Sequence, residues 1–211
     1  LNTPDTPLFH KGAQLYTARE DLLAAGATPV LVEGPMDALA VTLVGDGRYV
    51  GVAPLGTAVT EDQAAQLARY AHQHHRAPVV ATDAGRPGQV AAQRDYWLLA
   101  QHNLAPQTIA LRPGSDPADL LATHGPDALR QVLENQTPLA ETLLAERLEH
   151  LDGLPAARDA LLVLAAGDPA GWDHGIARIA DRTGIPAVAV RRDLAAAVRR
   201  WDADPRVVTT A

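Results

Sequence analysis

The 211-residue sequence predicts an α/β unit built on a parallel sheet, followed by an all-α unit. Three observations lead there. Short apolar, β-branched runs alternate with helical patterns as far as residue 111. Strand signals cease after residue 115. Acidic residues recur just past the ends of three of the strand runs.

Residues 1–12 are Pro-rich and irregular, and 13–25 read as a helix with Leu15, Leu22 and Leu23 at helical spacing. Residues 29–32 form a short apolar run that suits a buried strand, 36–44 suit a helix, and 49–53 a second strand. Thr60 with Gln63 three residues on has the pattern of a capping box for a helix reaching about His74. Residues 78–82 read as a third strand, 90–102 as a helix and 108–111 as a fourth strand. Two short helices are expected over 117–124 and 126–134. Longer ones are expected over 139–150, 154–166, 172–183 and 188–201, the last two separated by Gly184 and Pro186. The boundary between the units is placed near 135–138, giving an α/β domain over 1–136 and a helical one over 137–211.

In a parallel sheet covered on both faces, ligands bind at the carboxyl ends of the strands. The first strand run leads into Glu33-Gly34-Pro35-Met36-Asp37 and the third into Asp83-Ala84-Gly85-Arg86-Pro87-Gly88. The fourth is followed by Gly114-Ser115-Asp116-Pro117-Ala118-Asp119. Gathered carboxylates repel one another unless a cation holds them, and hard oxygen ligands suit Mg²⁺. The second strand adds no acid, but Gly56 and Thr57 can bring backbone and a hydroxyl close to a ligand. The plainer reading stands beside this one: Asp after a strand commonly caps the next helix, and Asp116 before Pro117 is a natural N-cap.

Composition narrows the function. With 47% hydrophobic residues the chain can bury a core, and with 4% aromatics that core must be mostly Ala, Val and Leu. Cysteine is absent, which excludes disulfides, thiolate zinc sites and cysteine nucleophiles. No apolar run approaches the roughly 20 residues of a membrane span. The net charge of −7 has the wrong sign for strong nucleic-acid binding. Of the 18 basic residues only Lys11 is a lysine, a position that keeps a compact ammonium where Arg otherwise prevails. The start at Leu1, with neither an initiator Met nor a leader pattern, is what a segment of a longer chain would show.

Five blocks resemble, in order, the bacterial DnaG-type primases. They are the stretch from Asn2 through Phe9-His10-Lys11-Gly12, then Val32-Glu33-Gly34-Pro35-Met36-Asp37, and then Leu55-Gly56-Thr57-Ala58-Val59-Thr60. Asp83-Ala84-Gly85-Arg86-Pro87-Gly88 and Asp116-Pro117-Ala118-Asp119-Leu120 complete the series. The last four lie in what resembles a TOPRIM domain, a fold shared with topoisomerases and some nucleases. The opening block points to primase among these. The resemblance implies a TOPRIM-like sheet, then the helical bundle that closes the primase core. It implies DNA-templated synthesis of short RNA primers, with nucleoside triphosphates and a DNA template as partners through the full-length protein, a replicative helicase besides, and a cytoplasmic, nucleoid-associated location.

Carried over residue by residue, Glu33, Asp83, Asp116 and Asp119 become ligands of Mg²⁺ or Mn²⁺, and Glu33 also assists proton transfer. Lys11, Gly56, Thr57 and Arg86 become contacts to nucleotide or nucleic acid. Two departures bear on activity. Gly85 and Ala118 stand where the primase pattern carries second acids, which implies a weakened metal site. The alternative is a TOPRIM module that binds nucleic acid or a partner in a replication or mobile-element protein without polymerising.

Overall fold

The computed structural model describes residues 10–56, 58–83 and 86–205, with the side chains of Lys11, Arg86 and Pro87 outside the description. The chain divides into two compact units, one up to Thr137 and the other from Pro138.

The first unit is built on strands β1 (Leu15–Tyr16), β2 (Thr28–Val32), β3 (Tyr49–Pro54), β4 (Val79–Ala81) and β5 (Gln107–Thr108), with β6 (Thr137–Pro138) at the edge. The sheet order is β1-β3-β2-β4-β5-β6. β2 pairs in parallel with β3 through Leu31↔Val52 and with β4 through Val32↔Ala81. The chain thus leaves central β2 for β3, then crosses back to β4 and continues outward to β5. Such a reversal creates a crevice at the strand ends.

The crossover helices are α2 (Pro35–Val44), α3 (Glu61–Gln73) and α4 (Arg86–Ala100). α2 packs with α5 (Pro117–His124) and α6 (Pro126–Glu134), whereas α3 packs with α4. Alternation along β2 explains both layers: Val30 and Val32 join Val41, Leu129 and Leu133 in one core cluster, while Leu31 is buried outside that cluster. α2 lies unusually close to β3. A Cβ on Gly51 would come within 2.3 Å of the Ala38 carbonyl oxygen, and the Gly51 amide donates to Thr42 Oγ1 at 3.0 Å. The expected capping box at Thr60 and Gln63 is present.

Three local expectations change. The helix expected over 13–25 is confined to α1 (Glu20–Ala24), because Leu15–Tyr16 pairs antiparallel with Pro54 and Ala53. The sheet is therefore mixed. Tyr16 packs against the core cluster, so tertiary pairing outweighs the local leucine spacing. The fourth strand lies at 107–108 rather than 108–111, and β6 falls after the point where strand signals cease.

The second unit holds α7 (Leu139–His150), α8 (Gly153–Ala166), α9 (Trp172–Thr183) and α10 (Ala187–Ala203). α8 packs against each of the other three. Its buried Ala156, Ala157 and Ala160 let neighbours approach, and Gly175 of α9 sits against Leu164. Ion pairs Glu141–Arg178 and Asp173–Arg191 bridge helices at the rim. Among the described residues no helix is long and apolar enough to cross a membrane.

The α2–β3 contact predicts a clear pair of outcomes in urea denaturation. Gly51→Ala should destabilise by about 1–3 kcal/mol through overpacking against backbone. Gly56→Ala, whose added methyl would meet nothing within 4 Å, should stay within about 0.5 kcal/mol of the parent.

Candidate metal and catalytic site

The paired ends of β2 and β4 set Glu33 and Asp83 side by side. The backbone amide of Asp83 donates to Glu33 Oε1 at 3.0 Å, joining the two loops. Both acids are exposed. Gly88 makes room for this turn: a Cβ there would lie 2.0 Å from the Asp83 carbonyl oxygen. Desolvation pushes the Asp83 carboxyl above its ordinary value, and Glu33, Asp116 and Asp119 push it the same way.

Asp116 does what the plain reading asks of it. It is the N-cap of α5, its Oδ1 accepting from the Asp119 amide at 2.6 Å, with Pro117 in the first turn. Capping leaves it at the same edge as the other acids, because its charge is felt at Asp83. Asp119 is exposed in the first turn of α5.

The structure adds Asp37, which lies in the first acid block but has no role assigned from sequence. It is buried in the first turn of α2, and its Oδ1 accepts from the Ala118 amide at 3.2 Å. Burial pushes its carboxyl up to about 6, the Ala118 amide pulls the other way, and Asp116 and Asp83 add to the rise. The spacing from Glu33 to Asp37, across a strand-to-helix turn, is the available signal.

The sheet brings Glu33, Asp83, Asp116 and Asp119 to one edge. Among the described residues, however, no three acids or histidines converge tightly enough to form a ready metal cage. Gly56 is exposed and lies on a cleft of about 380 Å³ together with Glu33, Thr82, Arg94 and Asp95. Thr57 and Gly85 lie outside the described residues, as do the side chains of Lys11 and Arg86. The backbone next to Lys11 is held at the start of α3: Thr60 Oγ1 donates to the Gly12 carbonyl, and Gln63 Nε2 to the Gln14 carbonyl at 2.7 Å.

Arg94 and Asp95 escape a reading of the sequence. Both sit in α4, and the cue is a charged pair directly before the apolar stretch Tyr96-Trp97-Leu98-Leu99-Ala100. Asp95 is 3% exposed, and burial pushes its carboxyl up to about 6 despite Arg94 beside it.

Known proteins resemble this chain in sequence and fold. The Toprim-like family matches residues 30–121, the stretch from β2 to α5. The DNA primase of Clostridium acetobutylicum is 30% identical over 200 residues, covering 90% of this chain and 32% of its own length. That of Streptomyces coelicolor is 34% identical over 217 residues, covering 97% and 33%. The chain is a member of the DnaG-type primase family.

Solved structures agree. A DnaG catalytic core superposes with a TM-score of 0.70 at 25% identity, covering 90% of this chain and 63% of that one. The RNA polymerase domain of Mycobacterium tuberculosis DnaG gives 0.70 at 26% identity, covering 86% and 60%. The chain spans about a third of the length of the curated primases it matches.

The buried carboxyl of Asp95 yields a stability prediction. Its folded value of about 6 lies above the ordinary 3.8, so the folded state holds the proton more tightly. Its stabilising contribution is therefore present below pH 4 and is lost as pH rises through 6. Asp95→Asn should be more stable than the parent at pH 8, by up to about 3 kcal/mol, with the gap closing towards pH 4. Denaturation midpoints across that range measure it, and a gap independent of pH would show that Asp95 is not the titrating group.

Proposed function

We propose that this chain is the metal- and nucleotide-binding part of a DNA primase, contributing to DNA-templated synthesis of short RNA primers. The observation that carries the reading is the row of carboxylates at the strand ends, where Asp83 and Asp37 are both pushed up by burial and by neighbouring acids. Carboxylates gathered in this way await a cation. The donor set is hard oxygen on a partly solvated edge, which fits Mg²⁺ or Mn²⁺. Such ions need only one or two protein carboxylates, with water and phosphate completing the shell. The spread of the acids, without a three-ligand cage among the described residues, fits this open kind of site.

When bound, the ion neutralises charge on the nucleotide phosphates. Asp83, Asp116 and Asp119 hold it, and Glu33 both ligates and accepts the proton of the attacking 3′ hydroxyl. That hydroxyl attacks the α-phosphate, and pyrophosphate leaves. The Glu33–Asp83 hydrogen bond orients Glu33 for both tasks. Lys11 reaches a phosphate from the segment fixed on α3, with Gly56, Thr57 and Arg86 as further contacts to the nucleotide or nucleic acid. The template is DNA. One relative is a DnaG catalytic domain bound to single-stranded DNA, and another is the M. tuberculosis domain in complex with double-stranded DNA. A replicative helicase and a cytoplasmic, nucleoid-associated place belong to the same reading.

One observation favours a second reading, a TOPRIM module that binds without polymerising: Gly85 and Ala118 supply no carboxylate. Metal titration separates the two. Under the primase reading, calorimetry with Mn²⁺ should show weak binding that Asp83→Asn or Asp116→Asn reduces at least about fivefold, as expected when one of few charged ligands is neutralised. Asn retains the cap at position 116, so a loss there reports charge rather than helix fraying. Gly85→Asp with Ala118→Asp should tighten binding. No Mn²⁺ binding in either form would favour the second reading.

Nucleotide binding in Mn²⁺ tests Lys11. Lys11→Ala should weaken it by roughly 1–3 kcal/mol, the scale of a charge-assisted hydrogen bond, and Lys11→Arg should recover part of the loss. Equal binding by all three forms would make Lys11 an ordinary surface residue.

A further inference from the structure

Arg94 has no part in the acid edge described above. It lies in α4, on the wall of the cleft of about 380 Å³ that also holds Glu33 and Gly56. Among the described residues that line this cleft it is the one cation. Its side chain is 43% exposed. Val90, one turn earlier on the same face of α4, also lines the cleft and is 65% exposed. This face of the helix therefore opens to solvent rather than packing against another element.

The plain reading is that Arg94 serves its neighbour Asp95. The geometry gives that pair little weight. Arg94 Nη2 stands 3.6 Å from Asp95 Oδ1, beyond hydrogen-bonding length. Burial still pushes the Asp95 carboxyl up to about 6 with Arg94 beside it. A guanidinium carries its N–H donors in a planar fork, and one long ion pair leaves that fork available to a ligand.

Charge narrows the ligand. A guanidinium pairs with carboxylate or phosphate, and phosphate is also what completes the shell of an Mg²⁺ or Mn²⁺ ion. An anion entering alone would meet Glu33 and Asp95 as well as Arg94. One that shares a cation with Glu33 escapes that repulsion. Val32, Pro54 and Val59 give the cleft apolar walls, and a charged hydrogen bond gains strength where water is scarce.

We propose that Arg94 binds a phosphate group of the nucleotide in this cleft. The inference rests on the metal- and nucleotide-binding reading above and adds a substrate-binding residue to it, distinct from the ligands of the metal.

The test measures affinity of the whole 211-residue chain for Mn²⁺ alone and, in Mn²⁺, for pyrophosphate, ATP and a single-stranded DNA oligonucleotide. Arg94→Ala should weaken pyrophosphate and ATP about tenfold, the scale of one hydrogen bond between charged groups. Its affinity for Mn²⁺ alone should not fall. Arg94→Lys should recover only part of the loss, because an ammonium keeps the charge but not the fork. Asp95→Asn removes a competitor for the guanidinium and should bind pyrophosphate at least as tightly as the parent. Arg94→Ala combined with Asp95→Asn leaves no unpaired buried carboxylate to disturb folding, and should lose pyrophosphate as Arg94→Ala does. Pyrophosphate binding by Arg94→Ala equal to the parent's overturns the proposal and leaves the nucleotide reading standing. An equal loss in Asp95→Asn makes the pair a structural element, and a fall in affinity for Mn²⁺ alone makes Arg94 a support of the metal site; either overturns it. A loss confined to the oligonucleotide assigns Arg94 to a nucleic-acid strand and overturns it too. If neither pyrophosphate nor ATP binds the parent, the nucleotide reading fails and this inference with it.

Discussion

β2 is paired in parallel on both sides, with β3 through Thr28 to Leu31 and with β4 through Val30 to Val32. A strand held this way is buried on both faces, and its register is strongly specified, since a one-residue slip would exchange the faces on which Val30 and Leu31 lie. The same register fixes how far β2 and β4 extend relative to one another. Val32 opposite Ala81 leaves Glu33 as the next residue on one strand and Thr82-Asp83 on the other. The Asp83 amide then finds Glu33 Oε1 without further adjustment. The position of the acids is thus a consequence of core packing several residues away.

The long periodic helices and the buried strands were legible in the sequence because their signals are local. The Thr60–Gln63 box and the Asp116–Pro117 cap follow from residue types alone, and both are present. What could not be read is what depends on partners distant in the chain. Leu15 carries helical spacing with Leu22, yet the backbone of Leu15 and Tyr16 is claimed by β3 some forty residues on. The common edge of Glu33, Asp83 and Asp116 followed from topology once a parallel sheet was assumed. Asp37 and Asp95 did not follow. Their importance lies in burial and in an amide or a missing donor supplied by other elements, and no spacing rule encodes that.

Asp116 shows why the capping and ligand readings are not exclusive. A cap engages one carboxylate oxygen, here Oδ1 with the Asp119 amide. The group stays at a helix N-terminus, where a negative charge is favoured by the dipole. That helps the chain tolerate an acid beside Asp37 and Asp83 in the absence of a cation. The Ala118 amide does the same for Asp37. The acid edge is therefore stabilised by backbone donors of α5.

The same backbone donors bear on position 118, where the side chain is Ala. A carboxylate at 118 would share the first turn of α5 with Asp119 and stand close to Asp37, adding repulsion where burial already pushes the Asp37 carboxyl up to about 6. With Ala there, the amide serves Asp37 and the apo edge is less strained electrostatically. Fewer acids lower the affinity for a cation but also lower the cost of being without one. Under the proposed function such a site would engage its metal mainly together with a phosphate-bearing ligand, whose oxygens supply further negative charge. Under that function the nucleotide and the cation would bind as linked partners, each raising the affinity for the other by the same factor.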